Sequence, residues 1–587
     1  MTPVDTADEG LDDRPAETDP RPTVSLSRTA AGDVVPPARE RFRPLARLED
    51  PIVGWTAAVA IAVLAFVLRV WHLGTPREFE FDETYYAKDA WSMLNHGYVR
   101  GYVDSANDRI LDGRTTGIWQ RDPSMVVHPE VGKWLIALGE KAFGMDPFGW
   151  RIAACVAGSL MVLVMCRLAR RLTGSTLLGC VAGLLLCFDG MMLVLSRLAL
   201  LDIFLALFLL LAASCLVADR DWTRRRFADR VDAGGVDAGG IGGWGPRLWF
   251  RPWLLTAGIW FGLACGTKWS AAYALAAFGV LVLFWNAGAR RSIGVRWPLP
   301  KATVLDGVPA FLHLVVVALV VYVASWTGWL VHAHEYEQHL SSTQYTRFVS
   351  AEDGCTKKGD VIVKLDDDKR WPTATEPDAS GPGELVQSLR SLWYYHHDVY
   401  EFHTHFLNCS KHIYQSDPGG WLLLSRPVGV NVENDIKPGS QGCQAPDGSN
   451  CLREVLLIGT PVLWWAGALA LAYAVVAWVL RRDWRFGFAV VGALSMWLPW
   501  QLNDQRPIFS FYASSILPFT ILALTLTLGQ ILGPDRSPTP RRTIGTIIAG
   551  SFVVLVILNF AWFWPIWTNG LLTKSEWFDR IWFSRWV

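Results

Sequence analysis

Apolar runs of about 20 residues, long enough to cross a hydrocarbon core, recur from Ile52 to Phe563. In lipid every backbone polar group must be satisfied within the segment, so each run has to be a helix. Hydropathy and flanking charge delimit about eleven of them: Ile52–Trp71, Ile152–Met165, Leu177–Leu195, Leu198–Val217, Trp253–Cys265, Ser270–Trp285, Phe311–Leu330, Val455–Leu480, Phe486–Leu502, Phe511–Ile531 and Ile544–Phe563. Several are short, so their ends extend into flanking polar residues. With 51% hydrophobic residues, 18% charged residues and 31 tryptophans, the 587-residue chain is too apolar for a soluble multidomain protein. It reads as an all-α polytopic membrane protein.

The formal net charge is zero, but its sign is segregated along the chain. Arginines cluster at Arg39, Arg41, Arg43 and Arg47, at Arg167, Arg170 and Arg171, at Arg224–Arg226, at Arg290 and Arg291, at Arg481 and Arg482, and at Arg541 and Arg542. These clusters fall in alternate connections, which places those connections in the cytoplasm. Residues 1–50 read as a disordered cytoplasmic tail with no cleavable signal peptide. The remaining divisions are a membrane region 51–330 with an outer loop 72–149, an outer loop 331–454, and a four-helix membrane region 455–587.

Ten cysteines divide by setting. Cys155, Cys166, Cys180, Cys187, Cys215 and Cys265 lie in or beside apolar runs, as packing residues. Cys355, Cys409, Cys443 and Cys451 lie in the outer segment, where an oxidising compartment allows two disulfides. Cys443 with Cys451 makes a short loop, and the three possible pairings stay open. The first outer loop holds VVHPEVGKWLIALGEKAFG, whose apolar spacing predicts an amphipathic helix in the interface. The second is rich in His, Tyr and Trp and is expected to pack on the outer leaflet. A VDAGG duplication in a cytoplasmic connection reads as a linker.

Chemistry concentrates at the outer ends. Asp82-Glu83, in FEFDETYYAKDAW, follows the first span directly; a carboxylate there suits removal of a proton from an acceptor hydroxyl. The bland alternative is a helix cap. Arg151, Arg197, Lys268 and Arg506 all sit at outward junctions, at the depth of a lipid phosphate, which guanidinium and ammonium groups hold well. Each by itself could equally snorkel to water, and Arg197 with Asp202 could form a structural ion pair. His128, His403 and His412 are weaker candidates, for the acceptor or the interface. No spacing such as HExxH suggests zinc, and the acidic motif is Asp-Glu rather than spaced acidic clusters, so no required metal and no cofactor are expected.

FEFDETYYAKDAW, HPEVGKWLIALGE, SRLALLDIFL, GLACGTKWSAAY, HIYQSDPGGWLLLSRPV and IGTPVLWWAG occur in an order similar to the protein O-mannosyltransferase family. The resemblance implies a GT-C-type bundle that transfers mannose from polyprenyl-phosphate-mannose to Ser or Thr hydroxyls of exported proteins. It carries the family's acidic motif onto Asp82 and Glu83, its basic position onto Arg151 and its Lys-Trp motif onto Lys268. The family often has HPPLGK where this chain has HPEVGK, and the inserted sugar-binding-like domain of eukaryotic members is missing. That departure and the Arg-, Ala- and Val-heavy composition point to an actinobacterial enzyme. The implied setting is the plasma membrane, with the site outside the cytoplasm and membrane lipids and the secretion translocon as further partners. Nucleic acid is not among them. Transfer of another sugar to a cell-wall glycan or lipid is the alternative. A transporter or flippase fits less well, because charges sit at span ends rather than mid-membrane.

Overall fold

The computed structural model describes residues 50–234, 243–341, 370–407, 410–503, 506–533 and 539–587, plus two paired dipeptide strands, Ser27–Arg28 and Val34–Val35. Nearly all of the expected 1–50 tail, Cys355, Cys409 and half of the VDAGG duplication lie outside the described residues.

Among the described residues seven helices are long and apolar enough to cross a membrane: Pro51–Val70, Pro147–Thr173, Asp202–Ala233, Ala271–Ser292, Gly307–Ala324, Pro461–Arg481 and Pro540–Trp567. Three shorter apolar helices, Thr176–Cys187, Pro252–Cys265 and Leu517–Leu532, lie among them, as does Trp484–Trp497. Local chemistry starts these helices where they start. Pro51, Pro147, Pro252, Pro461 and Pro540 occupy first-turn positions, where a missing N–H costs nothing. Asp50, Asp146, Ser175, Asp483 and Thr539 accept from the exposed N–H groups behind them.

Three expected boundaries are corrected. The run Leu177–Leu195 is broken, because Asp189 caps a new helix, Gly190–Leu195, accepting from Met192 N at 2.9 Å and Trp464 Nε1 at 2.7 Å. The run Val455–Leu480 begins as a strand, Cys451–Leu457, and turns helical only at Pro461. Phe511–Ile531 opens with a 3-10 turn, Ser510–Ser515, before the helix Leu517–Leu532.

Asp202–Ala233 is the central pillar, with 89% of its most apolar stretch buried against 17% for Pro51–Val70, which faces outward. Close approach is set by small residues: a Cβ on Gly258 would fall 1.9 Å from the carbonyl oxygen of His313. Contacts between helix termini define two ends of the bundle. At one, Arg170 reaches the Asp50 carbonyl, Arg171 pairs with Asp221, and Arg290 pairs with Asp306. At the other lie the turn at Lys268, the start of Asp202–Gly234 and the segment carrying Asp82. The stretch expected as an interfacial helix is helical over Val131–Phe143 at this second end, packed on Glu83–His96 and Pro147–Thr173.

The described parts of 331–454 sit on the bundle rather than apart from it. Tyr395 Oη donates to Val126 O at 2.6 Å and accepts from Val126 N at 2.7 Å, and Val99 N donates to Tyr336 Oη at 3.3 Å. An antiparallel sheet, absent from the all-helical expectation, runs Val428–Ile436, Cys451–Leu457, Leu571–Thr573, tying this segment to the C-terminal residues. The Cys443–Cys451 disulfide is formed beside it.

Candidate active site

Asp82 is the N-cap residue of the helix Glu83–His96, but its carboxylate makes no capping bond. It instead accepts from Tyr86 Oη at 3.2 Å, one helical turn on. Burial raises its pKa above the usual carboxylate range, opposed by the Lys268 ammonium and the Tyr86 hydroxyl and reinforced by Asp202. Asp82 is therefore a stronger base than a solvated aspartate.

Glu83, its neighbour, faces the other way. It is fully buried and forms a bidentate pair with Arg151, Nε and Nη2 each at 2.8 Å, while also accepting from Glu80 N at 3.0 Å and Ala199 N at 2.8 Å. Arg151 donates in addition to the carbonyls of Pro76 (2.8 Å), Glu78 (2.9 Å) and Leu73 (3.3 Å). All its N–H groups are engaged, so the expectation that it holds a phosphate is revised: Arg151 ties the loop after the first span to the Pro147–Thr173 helix. Arg197 is revised likewise. It donates to the carbonyls of Arg69 (3.0 Å), Trp71 and His72 (3.1 Å), closing the C-terminus of Pro51–Val70. Asp202 pairs with Lys268, not with Arg197.

A cavity of about 500 Å³ opens at this end, lined by Asp202, Lys268, Trp269, Tyr273, His128, Tyr400, His403, Trp500, Arg506 and Tyr512. Lys268 Nζ lies 2.8 Å from Asp202 Oδ2 and 5.0 Å from the Tyr512 ring centre. Burial pulls the ammonium pKa down, but Asp202, Tyr512 and Asp82 outweigh it and hold Lys268 above its ordinary value. Arg506 Nη1 donates to His403 Nδ1 at 2.8 Å, and the His128 and His403 rings stack 6.0 Å apart. Burial and the Arg506 charge push His403 down to about 3, and burial with Lys268 pushes His128 well below 6.5. With both imidazoles held low and Lys268 facing Asp202, the unmatched positive charge among the described lining residues is that of Arg506. His412 stands outside this lining, packed edge-on against Phe81 and Phe509.

Sequence reasoning missed Tyr86 and the aromatic walls Trp269, Tyr400, Trp500 and Tyr512. Tyr86 was legible one helical turn after Asp82; the walls come from four separate segments and carried no joint signal. Among the described residues no group of three His, Cys, Asp or Glu side chains is arranged to hold a metal ion.

The family model described as dolichyl-phosphate-mannose-protein mannosyltransferase matches residues 59–228, and that of the C-terminal four-transmembrane region of protein O-mannosyltransferase matches 388–586. A polyprenol-phosphate-mannose–protein mannosyltransferase of Mycolicibacterium smegmatis is 36% identical over 94% of this chain and 96% of the relative. One of Mycobacterium tuberculosis is 34% identical over 98% and 97%. Among solved structures, the S. cerevisiae protein O-mannosyltransferase Pmt1-Pmt2 complex bound to the sugar donor superposes with a TM-score of 0.64 at 15% identity, covering 96% of this chain and 97% of that one. That likeness bears on the fold, a GT-C membrane bundle.

Proposed function

This chain belongs to the dolichyl-phosphate-mannose-protein mannosyltransferase family, and we propose that Asp82 is the general base with which it moves mannose from polyprenyl-phosphate-mannose to Ser and Thr hydroxyls of exported proteins. The chain is a multi-span membrane glycosyltransferase. One observation carries the assignment of roles: a carboxylate of raised pKa, not used as a cap, within electrostatic reach of a cavity whose free charge is cationic.

A Ser or Thr hydroxyl is a poor nucleophile at neutral pH. As its oxygen bonds to the anomeric carbon of mannose, its proton passes to Asp82. The bond from that carbon to the phosphate oxygen breaks on the opposite face, so the anomeric configuration inverts. The leaving polyprenyl phosphate gains a negative charge, which Lys268 and Arg506 stabilise. Because those cations meet the developing charge, the reading uses no metal ion, and transfer in excess EDTA should match the untreated rate. Glu83 and Arg151 act at a distance from the chemistry, by holding the loop that presents Asp82.

The donor's polyprenyl chain has an apolar place beside the phosphate. A second cavity of about 530 Å³, lined by Cys265, Leu275, Val315, Leu319, Trp393 and others, shares Trp269 and Tyr400 with the first. The direct test is transfer of labelled mannose from polyprenyl-phosphate-mannose to a Ser/Thr-rich peptide by purified protein. No transfer, with transfer from another lipid-linked sugar instead, would overturn it.

The arginine-rich end is assigned to the cytoplasm and the cavity to the outside of the plasma membrane. An impermeant thiol reagent should reach a cysteine placed at Asp104 or Asp378 in intact cells, and one at Asp229 only after lysis. Labelling at Asp229 in intact cells would reverse the topology.

A further inference from the structure

Trp269 and Tyr400 line both the polar cavity and the apolar one, and the Trp269 indole is held by a directed chain of hydrogen bonds. Trp269 Nε1 donates to Tyr322 Oη at 2.8 Å, and Tyr322 Oη meets His396 Nε2 at 2.5 Å. His396 Nδ1 meets the Leu392 carbonyl at 2.7 Å. A carbonyl can only accept, so His396 carries its proton on Nδ1 and Nε2 is the acceptor. The Tyr322 hydroxyl then has one role open, donating to His396 while accepting from Trp269. Every polar group in the chain is satisfied, and only one arrangement of protons satisfies them all.

Packing reinforces the bonding. The His396 ring stacks on Trp269 at 5.3 Å with a 17° interplanar angle, and Trp326 closes on it edge-on at 5.0 Å. Two segments distant in sequence, the helix Gly307–Ala324 and the outer helix Pro382–Glu401, thus converge on one side chain in the turn after Pro252–Cys265. A structural indole in a lipid-facing wall needs only apolar neighbours. Here the ring plane and the N–H direction are both set, and the adjacent residue is Lys268, whose ammonium faces Asp202 in the polar cavity.

We propose that Tyr322 and His396 are positioning residues for the donor: they fix Trp269 as the partition at which the polyprenyl chain meets its phosphate. This rests on the reading of the two cavities as donor phosphate and donor lipid sites. Tyr322 and His396 line the apolar cavity and not the polar one, so their loss affects donor engagement and leaves the chemical step and acceptor use alone.

The test is steady-state kinetics of full-length protein in detergent or nanodiscs, with donor and acceptor varied separately. Loss of paired neutral hydrogen bonds predicts that Tyr322→Phe and His396→Leu raise donor KM about tenfold, with kcat and acceptor KM within about twofold of the parent. His396→Gln, whose amide oxygen can still accept from Tyr322, should recover most of the affinity. The proposal is overturned if donor KM is unchanged, if kcat or acceptor KM moves in step with it, or if His396→Gln is as impaired as His396→Leu. Should Tyr322→Phe fail to fold, the two His396 variants decide. Asp82→Asn in the same assay keeps the two readings apart: full transfer by that variant would remove the base while leaving the donor KM shifts interpretable.

Discussion

The Glu83–Arg151 knot and the Lys268–Arg506 cavity lie at one end of the bundle and are made of the same kinds of residue, yet one is closed and the other open. In the knot every N–H of Arg151 meets a carboxylate or carbonyl oxygen, and Glu83 accepts four hydrogen bonds. In the cavity, among the described residues, Arg506 bonds to a histidine and Lys268 pairs with one carboxylate. A cation is available to a ligand when its neighbours leave its charge or its donors unmatched, and residue type does not report that. Asp82 and Glu83 repeat the contrast at adjacent positions.

The largest expected effect breaks the closed region. Arg151→Ala strands a buried carboxylate, at a cost of about 3–5 kcal/mol in stability, measurable as a lowered melting temperature and poor yield. Donor affinity of the folded fraction should be unchanged; a folded variant with weakened donor binding would return Arg151 to the phosphate site.

Asp82→Asn comes next. Removal of the base should lower kcat by about 10²-fold or more, with donor affinity and melting temperature close to the parent. Near-normal turnover by the purified variant would dismiss the base.

The cations of the open region should show the reverse pattern. Arg506→Ala should weaken donor binding by about ten- to a hundredfold, the worth of one charge-assisted contact, with little change in stability. Lys268→Ala is best combined with Asp202→Asn, so that no unpaired carboxylate is left behind. Direct titration with donor checks both, and unchanged affinity in both would leave the phosphate without a holder.

The smallest effect sharpens Asp82 itself. The base acts when deprotonated, so kcat/KM should rise with pH on a limb above the ordinary carboxylate range, since burial raises that pKa. Tyr86 donates to the charged form and so lowers the pKa. Tyr86→Phe should therefore move the limb to higher pH and reduce the rate on the acid side of the limb more than on its plateau. A limb that stays in place would show that Tyr86 does not govern the base.

Much of the molecule was open to sequence reading because the constraints involved are local. Apolar length required membrane helices, arginine bias ordered their ends, and prolines and small polar residues marked many starts. Asp82, Lys268 and Arg506 were visible as polar residues at span ends, and the Cys443–Cys451 pair by its short loop. Three matters needed the tertiary structure. Asp189 splits one apolar run because its acceptors are satisfied by Thr460 and Trp464, some 270 residues away. The strand Cys451–Leu457 forms because Val428–Ile436 and Leu571–Thr573 meet it from either side. Arg151 and Arg197 are closed off by backbone carbonyls of loops they do not belong to. The sequence by itself determined which residues carry charge and on which end of the bundle they lie, since length and polarity are properties of a segment. Which of those charges remains available for a substrate was decided only by folding, since a side chain's hydrogen-bond partners come from distant parts of the chain.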